Sequence, residues 1–542
     1  MKSKTGRILT NLGATVLAGL IYFYIKLPAI NLQDPALYHF AIFLAAVFCA
    51  LSIVRLGLHR AKTGFELWQS VKKQCLIPVI VCGALFAVYI FGQVISAPIF
   101  RAGAYRDILS VRDGDFAGEV AEASFSNIPM LDQASAVRLG DRKMGELSDL
   151  VSQFEVADAY TQINRQGVPL RVTYLKYGDF FKWWNNRSQG LPAYITVDMV
   201  TQEANVVRLS DLGLGGIKYS PSELFGRKLE RHLRFNYPTF IFDTATLEID
   251  DSGTPFWVCP RIVKTIGLFG GTDIRGAVLV NAITGECVWH DNPPTWVDRV
   301  YNAELIMRQY DYHGTYVNGF FNSLIGQRDV TVTTSGYNYL AMDDDVYMYT
   351  GVTSVGGDES NIGFLLSNQR TKETTYYAAA GAIENSAQLS AQGMVQDLGY
   401  TATFPLLLNV AGEPTYFMSL KDASQLVKQY AMVNVRQYQI VAIGTTVTEC
   451  EAGYLRLLSS QGIAGERSLP ETEVTGVVEE LRTAVIEGNT RVYIRLRGDD
   501  FYYAVSVADS EIAAVLSEGD RVTLQTAAEE GELRSAFNVI KG

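Results

Sequence analysis

The stretch that decides the fold is Leu76–Ala97, LIPVIVCGALFAVYIFGQVISA, twenty-two residues without a charge. Two runs of the same kind precede it. They are Ile8–Ile25, ILTNLGATVLAGLIYFYI, and Leu37–Val54, LYHFAIFLAAVFCALSIV, eighteen residues each, with only His39 as an interruption in the second. Crossing the hydrocarbon core takes about 20 apolar residues, within a range of about 17–25. Three such runs in the first 98 residues exceed the needs of a soluble core and read as three transmembrane helices. The first is read as an uncleaved helix rather than a signal peptide. Thr10 and Asn11 interrupt its early part, and Lys26-Leu27-Pro28-Ala29-Ile30 is a poor small-residue cleavage site.

Charge placement gives the orientation. Residues 1–98 hold nine Lys/Arg and two acids, net +7, and the whole chain carries −11, so residues 99–542 carry −18. Lys2, Lys4 and Arg7 precede the first span, and Arg55, Arg60, Lys62, Lys72 and Lys73 lie between the second and third. The loop Leu27–Ala36 has no Lys or Arg. The positive-inside rule therefore places the N-terminus in the cytoplasm and residues from about 99 onward outside it. Lys26 would snorkel to the outer interface, and the third span carries no charged group that would mark an ion path. A small-residue stripe, Gly13, Ala14, Ala18 and Gly19, would let helices approach closely.

Composition removes several function classes. Five histidines and six cysteines in 542 residues argue against a metal cluster or a disulfide scaffold. Net acidity argues against a general polyanion binder. Cys49, Cys75 and Cys82 sit in or beside the spans, leaving Cys259, Cys287 and Cys450 outside. Cys259 and Cys287 read as unpaired small hydrophobes, with a bridge between them as the alternative.

Along the external region, residues 99–140 read as a connector with short strands and a turn at Asp113-Gly114-Asp115. A helix is expected over Arg142–Phe154, and strands over Leu170–Tyr177, Ala193–Met199 and Asn205–Leu209. Ser220-Pro221-Ser222-Glu223 has the form of a capping box with Pro at N1, opening a helix to about Phe235. Strands then follow over Thr239–Ile249, Pro255–Val263, Gly276–Asn281 and Glu286–His290, with turns at Asp250-Asp251-Ser252-Gly253 and Thr284-Gly285. A helix is expected over 295–309, strands over 329–380, and a hairpin from Phe404–Val410 and Thr415–Leu420. Asp422–Ala431 reads as a short helix, Val433–Ile443 as a strand, and Thr446-x-x-Glu449 as the start of another helix.

A helix followed by an antiparallel sheet, closed by Val280-Asn281-Ala282-Ile283-Thr284-Gly285-Glu286, resembles the PepSY module. That family usually ends Val-Asp-Ala-x-Thr-Gly-Glu; here Asn281 replaces the Asp. Val197-Asp198-Met199-Val200-Thr201-Gln202-Glu203 repeats the pattern, with Gln202 in place of Gly. The resemblance implies extracytoplasmic, non-catalytic modules associated with peptidase regulation. The chain's end also resembles an OB-fold in element order. Strands are expected over Glu473–Ile486, Arg491–Arg497, Phe501–Val507, Arg521–Thr526 and Arg534–Ile540, with a short helix at Asp509–Leu516. Its fourteen acids and seven Lys/Arg make it net −7, the wrong sign for nucleic acid.

No strong catalytic motif is present: no P-loop, His-Glu-x-x-His, Gly-x-Ser-x-Gly or Cys-x-x-Cys. Gly213-x-Gly215-Gly216 lacks a buried strand before it and the last glycine. Cys287 and His290 lie three apart on one strand, on opposite faces. Asp343-Asp344-Asp345 and Asp358-Glu359 are dense in oxygen ligands suited to Ca²⁺, but their spacing is not that of an EF-hand and they read as solvated turns. Phe180-Phe181 with Trp183-Trp184 reads as packing against a sheet, with glycan or lipid headgroups as the alternative. His232, between Arg231 and Arg234, reads as solvated. His290 ends a strand, and His313 lies in an Asp-Tyr-His-Gly turn.

The expected fold is membrane-anchored α+β, with three transmembrane helices, antiparallel-sheet external modules and a small C-terminal OB-like β-barrel. Its divisions are a transmembrane region over 1–98, an α+β module over 99–219 carrying the fainter hairpin, and a PepSY-like module over 220–310. A strand-rich α+β module over 311–460, a linker over 461–470 and the OB-like barrel over 471–542 complete it. The expected function is a non-catalytic binding, scaffold or regulatory protein of the bacterial cell envelope, with no catalytic residue, metal or cofactor. Its expected partners are the lipid bilayer and other envelope proteins, not nucleic acid. The alternatives are an extracytoplasmic hydrolase with a site assembled from scattered residues, and an accessory subunit of a transport or secretion complex.

Overall fold

The structure is a computed structural model that describes residues 4–59, 64–123, 128–342, 344–356, 360–463, 472–486, 489–507, 510–526 and 533–542. Three N-terminal helices, α1 (Lys4–Lys26), α2 (Pro35–His59) and α3 (Gly64–Ser96), carry the apolar spans. Segments Ile8–Lys26, Pro35–Arg55 and Lys72–Ser96 have the length and hydropathy to cross a membrane. Close approach of α1 and α2 depends on Gly19, where a Cβ would lie 2.6 Å from Leu44 Cδ2. Asn11 Nδ2 donates to Ser52 Oγ at 3.2 Å across the same pair, both residues buried. That contact satisfies polar groups that lipid cannot. Gly13, by contrast, faces open space.

Among the described residues nine further helices follow: α4 (Pro98–Arg106), α5 (Phe116–Glu119), α6 (Gln133–Gly145), α7 (Ser148–Val151), α8 (Phe180–Asn186), α9 (Leu229–Asn236), α10 (Ala303–Thr315), α11 (Glu384–Met394) and α12 (Val447–Ser460). Four of them, α6, α9, α10 and α11, each open one copy of the same supersecondary unit. The first copy has strands Phe154–Val156, Thr161–Arg165, Val168–Tyr177, Ala193–Asp198 and Ala204–Arg208. The second has Ile241–Phe242, Thr246–Ile249, Pro255–Ile266, Gly270–Asn281 and Cys287–His290. The third has Thr331–Thr333, Asn338–Met342, Asp345–Ser354, Ser360–Asn368 and Thr374–Ala382. The fourth has Thr401–Ala402, Leu406–Val410, Glu413–Lys421, Val427–Asn434 and Val441–Gly444. In every copy the first two strands pair in tandem along the third, the third pairs with the fourth, and the fourth with the fifth, all antiparallel.

The repetition extends to single hydrogen bonds. After the fourth strand, the N–H groups of Met199, Ala282, Gln369 and Val435 donate to the carbonyls of Pro169, Pro255, Val346 and Pro414, at or next to the start of the third strand. The carbonyls of those same four residues accept from Met130, from Lys218 and Tyr219, from Val300 and Tyr301, and from Ala382. Each donor lies in the segment leading into the unit's helix. One turn thus ties helix and sheet together while satisfying backbone groups that burial would otherwise strand.

The turn has a sequence signature. Asp198, Asn281 and Asn368 each accept with Oδ1 from the N–H groups two and three residues on. Gln202, Gly285 and Lys372 then take positive φ, at 61°, 79° and 66°. Thr201-Gln202-Glu203, Thr284-Gly285-Glu286 and Thr371-Lys372-Glu373 are therefore equivalent. In the fourth copy the turn is one residue longer and Asn434 accepts only from Gln437.

The copies pack in pairs. One hydrophobic cluster joins the sheets of the first and second, from Leu131 to Ala282, with Trp257 and Tyr194 at its centre. Another joins the third and fourth around Tyr349, Phe364, Tyr416 and Phe417. A short strand, Val111–Gly114, adds in parallel to the edge of the third sheet. At the C-terminus, strands Thr472–Ile486, Asn489–Leu496, Tyr502–Ser506, Arg521–Thr526 and Leu533–Lys541 pair in a circuit, with one parallel contact between the third and fifth. Arg491 of this region holds Glu449 of α12 at 2.8 Å.

Several local expectations are corrected. Ser220–Glu223 does not open a helix; a short 3-10 turn at Phe225–Arg227 intervenes and α9 begins at Leu229. Glu223 is fully buried instead, accepting from Tyr177 Oη at 2.6 Å and Trp183 Nε1 at 2.8 Å, so its carboxylate is unavailable for a capping box. The helix expected over Arg142–Phe154 starts earlier, at Gln133, capped by Asp132. The one expected over 295–309 is α10, starting at Ala303 behind the Asn302 cap. Asp422–Ala431 is a turn and a strand: Asp422 Oδ1 takes the N–H groups of Ser424 and Leu426, and Gln425 sits at φ 63°. The expected linker lies mostly outside the described residues.

Candidate functional site

The body that follows α3 is tied to the spans at a hairpin tip and at α9. The hairpin Pro255–Ile266/Gly270–Asn281 pushes its tip, Gly267–Gly270, against α3. Ser96 Oγ accepts from the N–H groups of Leu268 and Phe269, both at 3.0 Å, and donates to Gly92 O at 2.6 Å. Gly92 leaves the room: a Cβ there would lie 2.6 Å from Phe269 Cε2 and 2.8 Å from Leu268 Cδ2. Phe269 also meets Tyr38 of α2 and Tyr89 of α3.

The second point is α9. Arg234, 8% exposed, donates to the carbonyls of Leu27, Tyr237, Pro238 and Phe240. Its charge is solvated by carbonyl dipoles rather than by a carboxylate partner, and burial lowers its pKa. Ile30 N donates to Pro238 O, and Asn31 Nδ2 to Thr239 O, completing the clamp on the α1–α2 loop.

Between these points a cavity of about 1050 Å³ opens beside the ends of α1 and α2. Lys26, Leu27 and Asp34 line it from the membrane side. Lys228, Glu230 and Arg299 bring both signs of charge from the body, and Tyr174, Trp257 and Tyr337 bring aromatic surface. Such a mixture of apolar wall and few convergent charges is what ligand sites share.

Behind this wall lies an acid pair that the sequence did not single out. Glu248 is fully buried and accepts from the N–H groups of Asp298 at 2.7 Å and Arg299 at 3.0 Å. Burial pushes its pKa up to about 7. Asp298, 1% exposed, accepts from Asn164 N at 2.7 Å and is pushed up by burial and by Glu248. Neither carboxyl lines the cavity.

The residues singled out from sequence are scattered. His232 is not solvated: its Nε2 lies 2.7 Å from Gly285 O and its ring rests on Tyr219, so it braces the second unit's turn. His313 is on α10 rather than in a turn, with Nδ1 3.1 Å from Arg106 O. His290 and Cys287 share the strand Cys287–His290. Cys259 and Cys287 are free thiols on the two strands flanking Gly270–Asn281, and burial raises Cys287 to about 11. Asp345 is not solvated; it is 7% exposed and held by Arg370 at 2.6 Å and 2.8 Å and by Asn368 at 2.8 Å. Asp344 accepts from Gly167 N, and Asp343 and Asp358-Glu359 lie outside the described residues. Among the described residues no group of three or more His, Cys, Asp or Glu is placed to hold a metal. Trp183 is buried on Glu223, whereas Trp184 is half exposed.

No protein-family model matches the chain, and no curated protein matches it.

Proposed function

We propose that this is a membrane-anchored, extracytoplasmic binding or scaffold protein of the cell envelope, non-catalytic, taking a ligand or partner segment in the cavity above α1 and α2. The observation that carries this reading is the cavity's position. It opens at the joint of span and body, and its walls come from both. A bound segment would thus touch the membrane loop through Lys26 and Asp34 and the body through Lys228 and Arg299. The extracytoplasmic side follows from the positive-inside rule applied to Lys2, Lys4, Arg7 and the basic loop before α3.

Family likenesses support the same reading. The helix-plus-meander unit with its Asn281–Glu286 turn resembles the PepSY module, and the third copy at Asn368–Glu373 extends that resemblance. The C-terminal strand circuit, with a short helical turn between its third and fourth strands, resembles an OB-fold.

Complementation of a deletion strain tests it. Lys228→Glu with Arg299→Glu should abolish complementation while the melting temperature of the purified protein stays within a few degrees of wild type. Cys287→Ser and His290→Ala should leave complementation intact. Loss from the second pair with the first pair silent would point to an enzyme.

A further inference from the structure

Among the described residues after α3, every exposed Phe or Trp lies in one of two groups. The first is Phe180, Phe181 and Trp184 of α8 with Phe225 and Phe235, each at least half exposed, Phe181 at 75%. The first four are contiguous: Phe180 meets Phe181, Trp183 and Trp184, and Trp183 bridges to Phe225, while Phe235 packs on α1. The second is Phe321, with Leu324 and Ile325 close by in sequence, and Phe100 of α4, the element that also supplies Tyr105; all four are at least 62% exposed. Single exposed apolar residues need no explanation, but contiguous patches do.

Both groups are tied to the ends of the spans. In the first, Arg231 Nη1 donates to Phe225 O at 2.6 Å, Arg231 Nε donates to Tyr24 O at 3.2 Å, and its guanidinium lies 4.0 Å from the Tyr24 ring centroid. Phe235 meets Phe23 and Tyr24 directly. Tyr24 is in the last turn of α1. In the second, Tyr105 Oη donates to Ser96 O at the end of α3, and its ring packs on Tyr312 and Tyr316, which continue through Phe320 to Phe321. The first group is thus linked to the C-terminal end of α1 and the second to the C-terminal end of α3.

The first patch also carries arginines, in a region that is net −18 overall. Arg187 lies 3.6 Å over the Trp184 ring, and Arg227 Nη1 donates to Arg187 O at 2.6 Å. Arg231, through Phe225 O, is the third arginine at the patch, while Lys182 and Lys228 nearby in sequence pair with Asp179 at 3.7 Å and Glu230 at 3.8 Å. Aromatic side chains with Lys and Arg beside them are the chemistry of the membrane–water interface, where rings sit at headgroup depth and cations meet lipid phosphates.

We propose that these two patches rest in the headgroup layer of the leaflet at the C-terminal end of α1, and that the patch bearing Arg187, Arg227 and Arg231 selects anionic phospholipid. The body then touches the bilayer beside its anchor, which restricts its tilt and the direction in which the cavity opens. The proposal rests on insertion of α1, and on neither the cavity reading nor the side of the membrane the body occupies.

The full chain, reconstituted into vesicles whose acyl chains are brominated near the headgroup, provides the test. Trp184 fluorescence is taken as the difference between wild type and Trp184→Phe. It should be quenched, and the quenching should be about twofold stronger with phosphatidylglycerol present than in phosphatidylcholine alone. Phe181→Asp with Phe225→Asp should remove that quenching while the protein still floats with the vesicles, held by its spans. If Trp184 is not quenched in either lipid, the patch is covered by protein or water and the proposal fails. Equal quenching in both lipids overturns the anionic preference. Should the double variant not fold, the wild-type and Trp184→Phe comparison decides alone.

Discussion

Glu248 is the residue whose environment makes the sharpest pH prediction. In the unfolded chain its carboxyl titrates near 4.5, and in the folded protein near 7. Below pH 4.5 both states hold the proton and the group contributes nothing. Between 4.5 and 7 the unfolded state releases it and the folded state keeps it, so stability falls as pH rises, and the loss levels off above 7. Glu248→Gln should therefore flatten the decline in apparent melting temperature across that window; an unchanged slope would show that the carboxyl is not held neutral. Arg234 makes a second prediction. A lysine cannot reach four carbonyls at once, so Arg234→Lys should lose charged hydrogen bonds worth about 1.5–3 kcal/mol each, seen as a lower melting temperature and faster proteolysis of the α1–α2 loop. Neither role was legible in sequence. Glu223 shows why: its place three residues after Ser220 has the form of a cap, but the indole of Trp183, forty residues away, claims its carboxylate. A local pattern cannot see a distant donor.

The turn that closes each unit is where elements were most legible, and where one copy was missed. Asn281–Glu286 and Asp198–Glu203 stand out because Thr, an acid or amide, and Glu recur at fixed spacing. Asn368-Gln369-Arg370-Thr371-Lys372-Glu373 has the same spacing, but it has Gln-Arg where the other two have apolar residues after the Asp or Asn, and Lys372 at the positive-φ position usually given to Gly. The spacing Asp/Asn-x-x-Thr-x-Glu, without the Gly, would have found all three. Asn281→Ala removes the acceptor for two N–H groups and should destabilise the second unit by about 1–3 kcal/mol. Gly285→Ala should cost more, since its φ is 79° and a Cβ would meet the Tyr219 ring at 2.3 Å. Amide exchange at Ala282–Glu286 measures both, with unchanged protection as the contrary result. The helices α6 and α10 were placed several residues off because their starts are set by Asp132 and Asn302 side chains, each accepting from the N–H three residues on, rather than by the apolar stripe.

At the scale of the whole molecule, the three spans were plain in the sequence because lipid leaves a chain so few options. The fourfold unit was not, because its repetition lies in strand pairing and backbone hydrogen bonds while the side chains vary. The C-terminal strand circuit, with net charge −7 over 471–542, should show no salt-dependent binding of single-stranded DNA when the full chain is titrated; binding that weakens with salt would contradict that. The central claim is that the spans hold the four units and their cavity outside the cytoplasm. Protease added to intact spheroplasts of cells carrying an N-terminal and a C-terminal epitope on the full chain tests it most directly. The C-terminal epitope should be lost and the N-terminal one retained until the membrane is opened with detergent. Loss of the N-terminal epitope with the C-terminal one protected would place the body in the cytoplasm and contradict the account.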